Sequence, residues 1–266
     1  MKLEDTVPVV QAKALAIGYS PTSPLLSAID FEINKGEIFA IMGPSGCGKT
    51  TLFRHLIGLK QPQSGELAVL GYDLTRPNRN DLYELRRKIG VAFQQGAMIN
   101  SMSLIDNVSL PLTHHTQLDK VTIQIMSRMK LEMMGLLDAE TKMPSQLSGG
   151  MLKRAGLARA VVMDPQILFF DEPSAGLDPA AGAELDELLL QLRDLLKISI
   201  VFVTHDLDSA LKIADRVMIL ANGGIAALGS VNEIRQSQSQ TVQALLNRRS
   251  SRARLMGDDY IEQLTH

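Results

Sequence analysis

Tryptophan is absent from this 266-residue chain, and cysteine occurs once, at Cys47. A single cysteine excludes a disulfide framework and suits a reducing compartment. Excess charge is lacking as well: 27 basic side chains meet 29 acidic ones, so no strong field points to nucleic acid, and no nucleic-acid partner is expected. No apolar stretch approaches the roughly 18 residues a membrane-spanning helix needs. Residues 1–5 lack the basic start and apolar run of a secretory signal. His55, His114 and His115 stand without Cys, His or Asp partners at ligand spacing, which argues against a transition-metal site. What remains is an ordinary globular composition, sufficient for one large α/β domain with a smaller insert. Any service to a membrane then runs through a partner.

Short runs rich in Val, Ile and Phe alternate with longer helical patterns, which predicts a mostly parallel α/β core. Residues 9–17 and 29–33 read as early antiparallel strands. Residues 37–42, 66–70, 89–93, 167–171, 198–204 and 217–220 read as further strands. Between about 94 and 144 the strand signals vanish. Residues 121–137 show helical spacing there, with Ile125, Met129, Met133 and Leu136 on one face, so a helical subdomain is expected within the core. Met126, Met129, Met133, Met134 and Met143 are expected chiefly as helical core. From 236 onward the chain turns polar and reads as an extension, 236–266, following a domain of residues 1–235. Its apolar residues at 241–246 and 260–264 suggest a clasp on a sister subunit; a partly ordered end is the alternative.

Gly43-Pro44-Ser45-Gly46-Cys47-Gly48-Lys49-Thr50 matches the P-loop pattern in full, after a predicted strand and before a helical pattern at 51–59 that opens with Thr51. Backbone amides freed by the glycines wrap phosphates, Lys49 reaches the outer ones, and the Thr50 hydroxyl suits Mg²⁺. ATP with Mg²⁺ is the expected ligand. Four apolar residues, 167–170, end in Asp171 and Glu172, as a buried strand beside a P-loop would. Asp171 would hold the metal through water and Glu172 would polarise the attacking water. Leu147-Ser148-Gly149-Gly150-Met151 then opens a helical pattern at 152–163. Ser148 as a cap, with Gly149 and Gly150 behind it, makes a second anion site. One nucleotide has no need of two such sites in one chain, so the second is expected to close over ATP on another copy.

With these motifs in order, residues 9–230 resemble the ABC ATPase family. The resemblance implies a P-loop NTPase (RecA-like) core, an antiparallel β-subdomain and an inserted α-helical signature subdomain at about 95–165. Met151 departs from the usual glutamine of the signature. By the same resemblance Gln94 is the glutamine that touches metal and attacking water. The resemblance makes residues 174–178, ending in Asp178, the loop expected to cross the dimer interface. It likewise implies that His205 contacts the γ-phosphate and orders the water at Glu172, and that Tyr19 stacks on adenine.

The stretch from Phe93-Gln94-Gln95 through Asp106-Asn107-Val108 to the methionine-bearing signature is similar to the ATPases of Mla/MCE-type lipid transporters. That resemblance implies a homodimer bound to a polytopic permease, an MCE-domain lipid-binding subunit and a small STAS-domain subunit. It implies a site of action on the cytoplasmic face of the bacterial inner membrane, reached through the permease. The cargo implied is phospholipid moving between inner and outer membranes. Other classes are a different ABC transporter, a soluble ABC ATPase and an ATP-binding regulator without turnover. Fewer than a hundred residues separate Thr50 from Leu147, with no sustained heptads, against the coiled-coil repair type. Intact Gln94, Glu172 and His205 argue against an inactive regulator.

Overall fold

The computed structural model describes residues 8–20, 23–94 and 96–246, with Tyr19 and Ser20 described in backbone only. Ten strands and eight α-helices between 8 and 236 carry the fold. The strands are β1 (Pro8–Ser20), β2 (Ser23–Asn34), β3 (Ile38–Met42), β4 (Ser64–Val69), β5 (Tyr72–Asp73), β6 (Ile89–Ala92), β7 (Ile167–Asp171), β8 (Ser199–Val203), β9 (Arg216–Ala221) and β10 (Gly224–Ser230). The helices are α1 (Lys49–Leu56), α2 (Arg79–Lys88), α3 (Leu104–His115), α4 (Lys120–Met133), α5 (Gly149–Val161), α6 (Pro179–Leu196), α7 (Leu207–Ile213) and α8 (Val231–Gln236).

One sheet has the order β10-β9-β3-β8-β7-β6 and the other β2-β1-β4-β5. In the first, β3, β6, β7, β8 and β9 run parallel and β10 closes the edge antiparallel. Its central strands are apolar on both faces because both faces are covered. Ile38, Ala40, Leu168, Phe170, Ile200 and Phe202 join the core under the helical side. The alternate residues Phe39, Ile41, Phe169 and Val201 join the core shared with α1 and the antiparallel sheet. There Phe53 of α1 meets Phe169 edge-on, ring centroids 6.2 Å apart. Truncating such a buried ring to alanine costs about 3–5 kcal/mol.

Helices α3, α4 and α5 lie between β6 and β7, where the sequence loses its strand signals. Helix α5 rests on β6 so closely that a Cβ on Gly90 would lie 2.3 Å from the Ala160 carbonyl oxygen.

Two expectations need correction. The buried face of α4 is Ile123, Ser127, Lys130 and Leu131, whereas Ile125 and Met129 are 54% and 61% exposed. Of the methionines expected in the core, Met134 is buried, Met126 and Met133 are partly buried, and Met129 faces out. The segment 241–246, expected either as part of a clasp on a sister subunit or as a partly ordered end, is helical, with Val242 fully buried in its own domain and Leu245 and Leu246 packed beside it. Residues 260–264 lie outside the described residues.

Candidate functional site

The C-terminal ends of β3, β8 and β7 finish at one level. Ile41 pairs with Val203, and Val203 with Asp171. The P-loop, His205 and the Asp171-Glu172 pair therefore leave the sheet side by side, in the crevice where open α/β sheets bind ligands. Gln94 follows the outer strand β6 and is exposed.

The P-loop turns sharply out of β3. Gly43 has a φ of +147° and a Cβ there would lie 2.3 Å from the Leu220 carbonyl oxygen, so only glycine fits. Gly48, at φ +109°, opens α1 without any side-chain cap. The other seven helices, α2 through α8, each carry one, from Asn78, Ser103, Asp119, Ser148, Asp178, Asp206 and Ser230. An uncapped helix start under a glycine loop is built to receive an anion. The buried Lys49 ammonium donates to the carbonyls of Gly43 at 2.8 Å and Pro44 at 3.1 Å, folded over the same loop. Pro44, Ser45, Gly46 and Thr50 are exposed around it, Cys47 is half-buried and Thr51 is buried.

At the end of β7, Asp171 Oδ1 is buried and has no hydrogen-bond partner among the described residues. Burial pushes its pKa up and the neighbouring Glu172 adds to this, while Arg54 and Lys49 pull against them. An orphaned anionic oxygen beside a lysine and an uncapped helix start fits a hydrated divalent cation carrying phosphate. Glu172 takes a left-handed φ of +53°, and its amide donates to the Val203 carbonyl at 2.8 Å. Its carboxylate, 16% exposed, meets the imidazole of His205, which is 65% exposed. The Asp206 amide donates to Thr204 Oγ1 at 2.9 Å, fixing the turn that presents His205.

Ser148, Gly149 and Gly150 form the start of α5. Ser148 Oγ accepts from the Met151 amide at 3.3 Å, and a Cβ on Gly149 would meet nothing within 4 Å, so this helix start faces open space. None of the described hydrogen bonds joins residues 148–150 to the P-loop. Asp178 Oδ1 caps α6 through the Ala181 amide at 2.9 Å. Tyr19 lies in β1, its side chain outside the described residues.

The ABC transporter family model matches residues 26–175, more than half of the chain. The chain belongs to the ABC transporter family. It is 39% identical over 239 residues to the intermembrane phospholipid transport system ATP-binding protein MlaF of Haemophilus influenzae, covering 89% of this chain and 90% of that protein. To MlaF of Escherichia coli strain K12 it is 41% identical over 219 residues, covering 82% and 81%. A solved cassette, cbiO1 from Clostridium perfringens, part of the ABC transporter complex cbiONQ, superposes with a TM-score of 0.79 at 29% identity, covering 94% of this chain and 99% of that one. The ATP-binding cassette MJ0796, a dimer bound to ADP and Pi, gives 0.76 at 29% identity, covering 84% and 98%. As an ABC cassette this chain is an ATP-binding protein and an ATPase.

Sequence reasoning missed two cations of α5. Lys153 reaches the backbone at Glu172 and Pro173, and Arg159 reaches the backbone at Gly96 and Ala97. Their charge made them look solvent-facing. A basic residue at the spacing of a helix's buried face was the only available signal.

Proposed function

We propose that this cassette powers phospholipid trafficking between the inner and outer membranes of a bacterium. It would do so as a pair of ATPase subunits on the cytoplasmic side of a polytopic permease. What carries this reading is the 39–41% identity to MlaF proteins over more than four fifths of the chain. An MCE-domain lipid carrier and a STAS-domain subunit complete the proposed assembly. Among the described residues no helix is long and apolar enough to cross a membrane, so attachment would run through the permease. The groove beside the exposed Gln94 is the proposed contact with the permease.

In the proposed cycle the amides of residues 43–51 and the Lys49 ammonium hold the phosphates, and Tyr19 stacks on the base. Thr50, Gln94 and Asp171 would hold Mg²⁺, which when bound neutralises charge on the phosphate oxygens. Ser148, Gly149 and Gly150 of the partner copy, with Asp178 near the interface, close the other side. Glu172 takes the proton of the attacking water, and His205 orients that carboxylate. The split of the phosphate cradle between an uncapped α1 and the open end of α5 favours catalysis by the pair. Purifying the tagged chain from its native membranes tests the reading. A polytopic protein and phospholipid should co-purify, and a complex carrying a different cargo, or no membrane protein, overturns it.

A further inference from the structure

Helix α5 holds more than the Ser148-Gly149-Gly150 end. Lys153 is only 5% exposed, yet its Nζ donates to the carbonyl oxygens of Glu172 at 2.9 Å and Pro173 at 2.6 Å. Six residues on, Arg159 donates through Nη1 to Ala97 O and through Nη2 to Gly96 O, both at 2.9 Å. Between the two cations, Gly156 lets the helix backbone touch the Gln94 loop: a Cβ there would lie 3.2 Å from Gly96 Cα. The loop after Gln94 and the loop at Glu172 are thus both tied to one helix.

Two of the tied positions, like six other non-glycine residues among those described, take left-handed backbone conformations. Glu172 and Ala97 are non-glycine residues at φ +53° and +47°. Such conformations persist only where the surroundings over-determine them. A buried ammonium is also a costly way to fill space, since an apolar side chain of similar volume generally packs as well or better. Its presence at the catalytic loop calls for a reason beyond stability.

We propose that Lys153 is a positioning residue for ATP hydrolysis, fixing the Glu172–Pro173 backbone to the helix whose open end engages the nucleotide of the other copy. Engagement in trans then sets the catalytic carboxylate in cis. This rests on the paired-cassette reading above.

Full-length chain carrying Lys153→Met, which keeps the volume and loses the donors, is compared with Lys153→Gln, whose amide keeps two N–H groups. For Lys153→Met, kcat for ATP should fall by about tenfold or more, with KM and the affinity for a non-hydrolysable ATP analogue within about twofold and Tm not lowered. Lys153→Gln should recover most of kcat. Wild-type kcat in Lys153→Met, a parallel loss of kcat, affinity and Tm, or no recovery in Lys153→Gln would each overturn the proposal. If Lys153→Met does not fold, unimpaired positioning is read from Lys153→Gln alone: kcat below about a tenth of wild type in that folded variant overturns it. A wild-type chain without ATPase activity even when paired would instead overturn the underlying reading.

Discussion

His205 Nδ1 lies 2.8 Å from Glu172 Oε2, and the His205 amide donates to the same oxygen at 3.4 Å. An ionised carboxylate only accepts, so Nδ1 carries the proton and Nε2 is left for a ligand. The two residues follow adjacent strands, β7 and β8, so sheet pairing alone brings them together. Glu172→Gln should lower turnover by about 100- to 10,000-fold while ATP binding and closure of the pair persist. Steady-state ATPase alongside nucleotide-induced dimerisation by light scattering checks both halves. Turnover at the wild-type rate would remove Glu172 from the chemistry.

Asp171 gives a stability prediction of opposite sense to its importance. Its folded pKa is raised by burial, so the folded chain binds more protons than the unfolded one between the ordinary carboxylate value and the raised one. Stability falls as pH rises through that window, and at neutral pH the ionised carboxylate is a net cost. Asp171→Asn should therefore raise the Tm of nucleotide-free protein by about 2–4 °C, which is about 1 kcal/mol at this size, while abolishing hydrolysis. The Tm gain should shrink in acid. Calorimetry at pH 4 and pH 7.5 measures it.

Lys153 titrates in an unusual range. Burial brings its pKa down to about 8, against the partial support of the Glu172 charge. The unfolded lysine keeps its proton up to about 10.4, so between these values the unfolded state binds more protons and this residue makes stability rise with pH. Chemical denaturation of wild type and Lys153→Met at pH 7.5 and pH 9.5 should show wild type gaining on the variant at the higher pH. A constant difference would place the ammonium in a far wetter setting.

The C-terminal segment can be divided experimentally. Removing everything after Ser230 strips Ile234 and Val242, both buried, from the domain and should lower Tm by several degrees, each kcal/mol being about 2–4 °C. Cutting after Leu246 spares that packing, so Tm should hold. Any loss of ATP-independent pairing in the shorter cut, read by sedimentation, then belongs to residues 247–266.

The motifs were legible because phosphate chemistry demands particular residues at fixed spacing, and β7 because four apolar residues end abruptly in Asp171 and Glu172. Strand β10 escaped notice: every residue from Gly224 to Ser230 is half-buried, so no apolar run or alternation marks it. Strand β5 has only two residues. The face of α4 was misread because aliphatic residues occur all around it. Val121, Ile125 and Met129 look outward while Ile123 and Leu131 look in, so periodicity alone has two solutions. The clamps at Lys153 and Arg159 depend on which backbone carbonyls arrive beneath α5, and only tertiary structure determines that.

Gly90 bears on how such a cassette can change over generations. With the Ala160 carbonyl oxygen 2.3 Å from any Cβ at that position, a single methyl group would wedge the helical insert off the sheet. Glycine at this spot thus sets how closely α5 can lie on β6. Substitutions that keep this packing are those at rims and outer faces rather than in the seam.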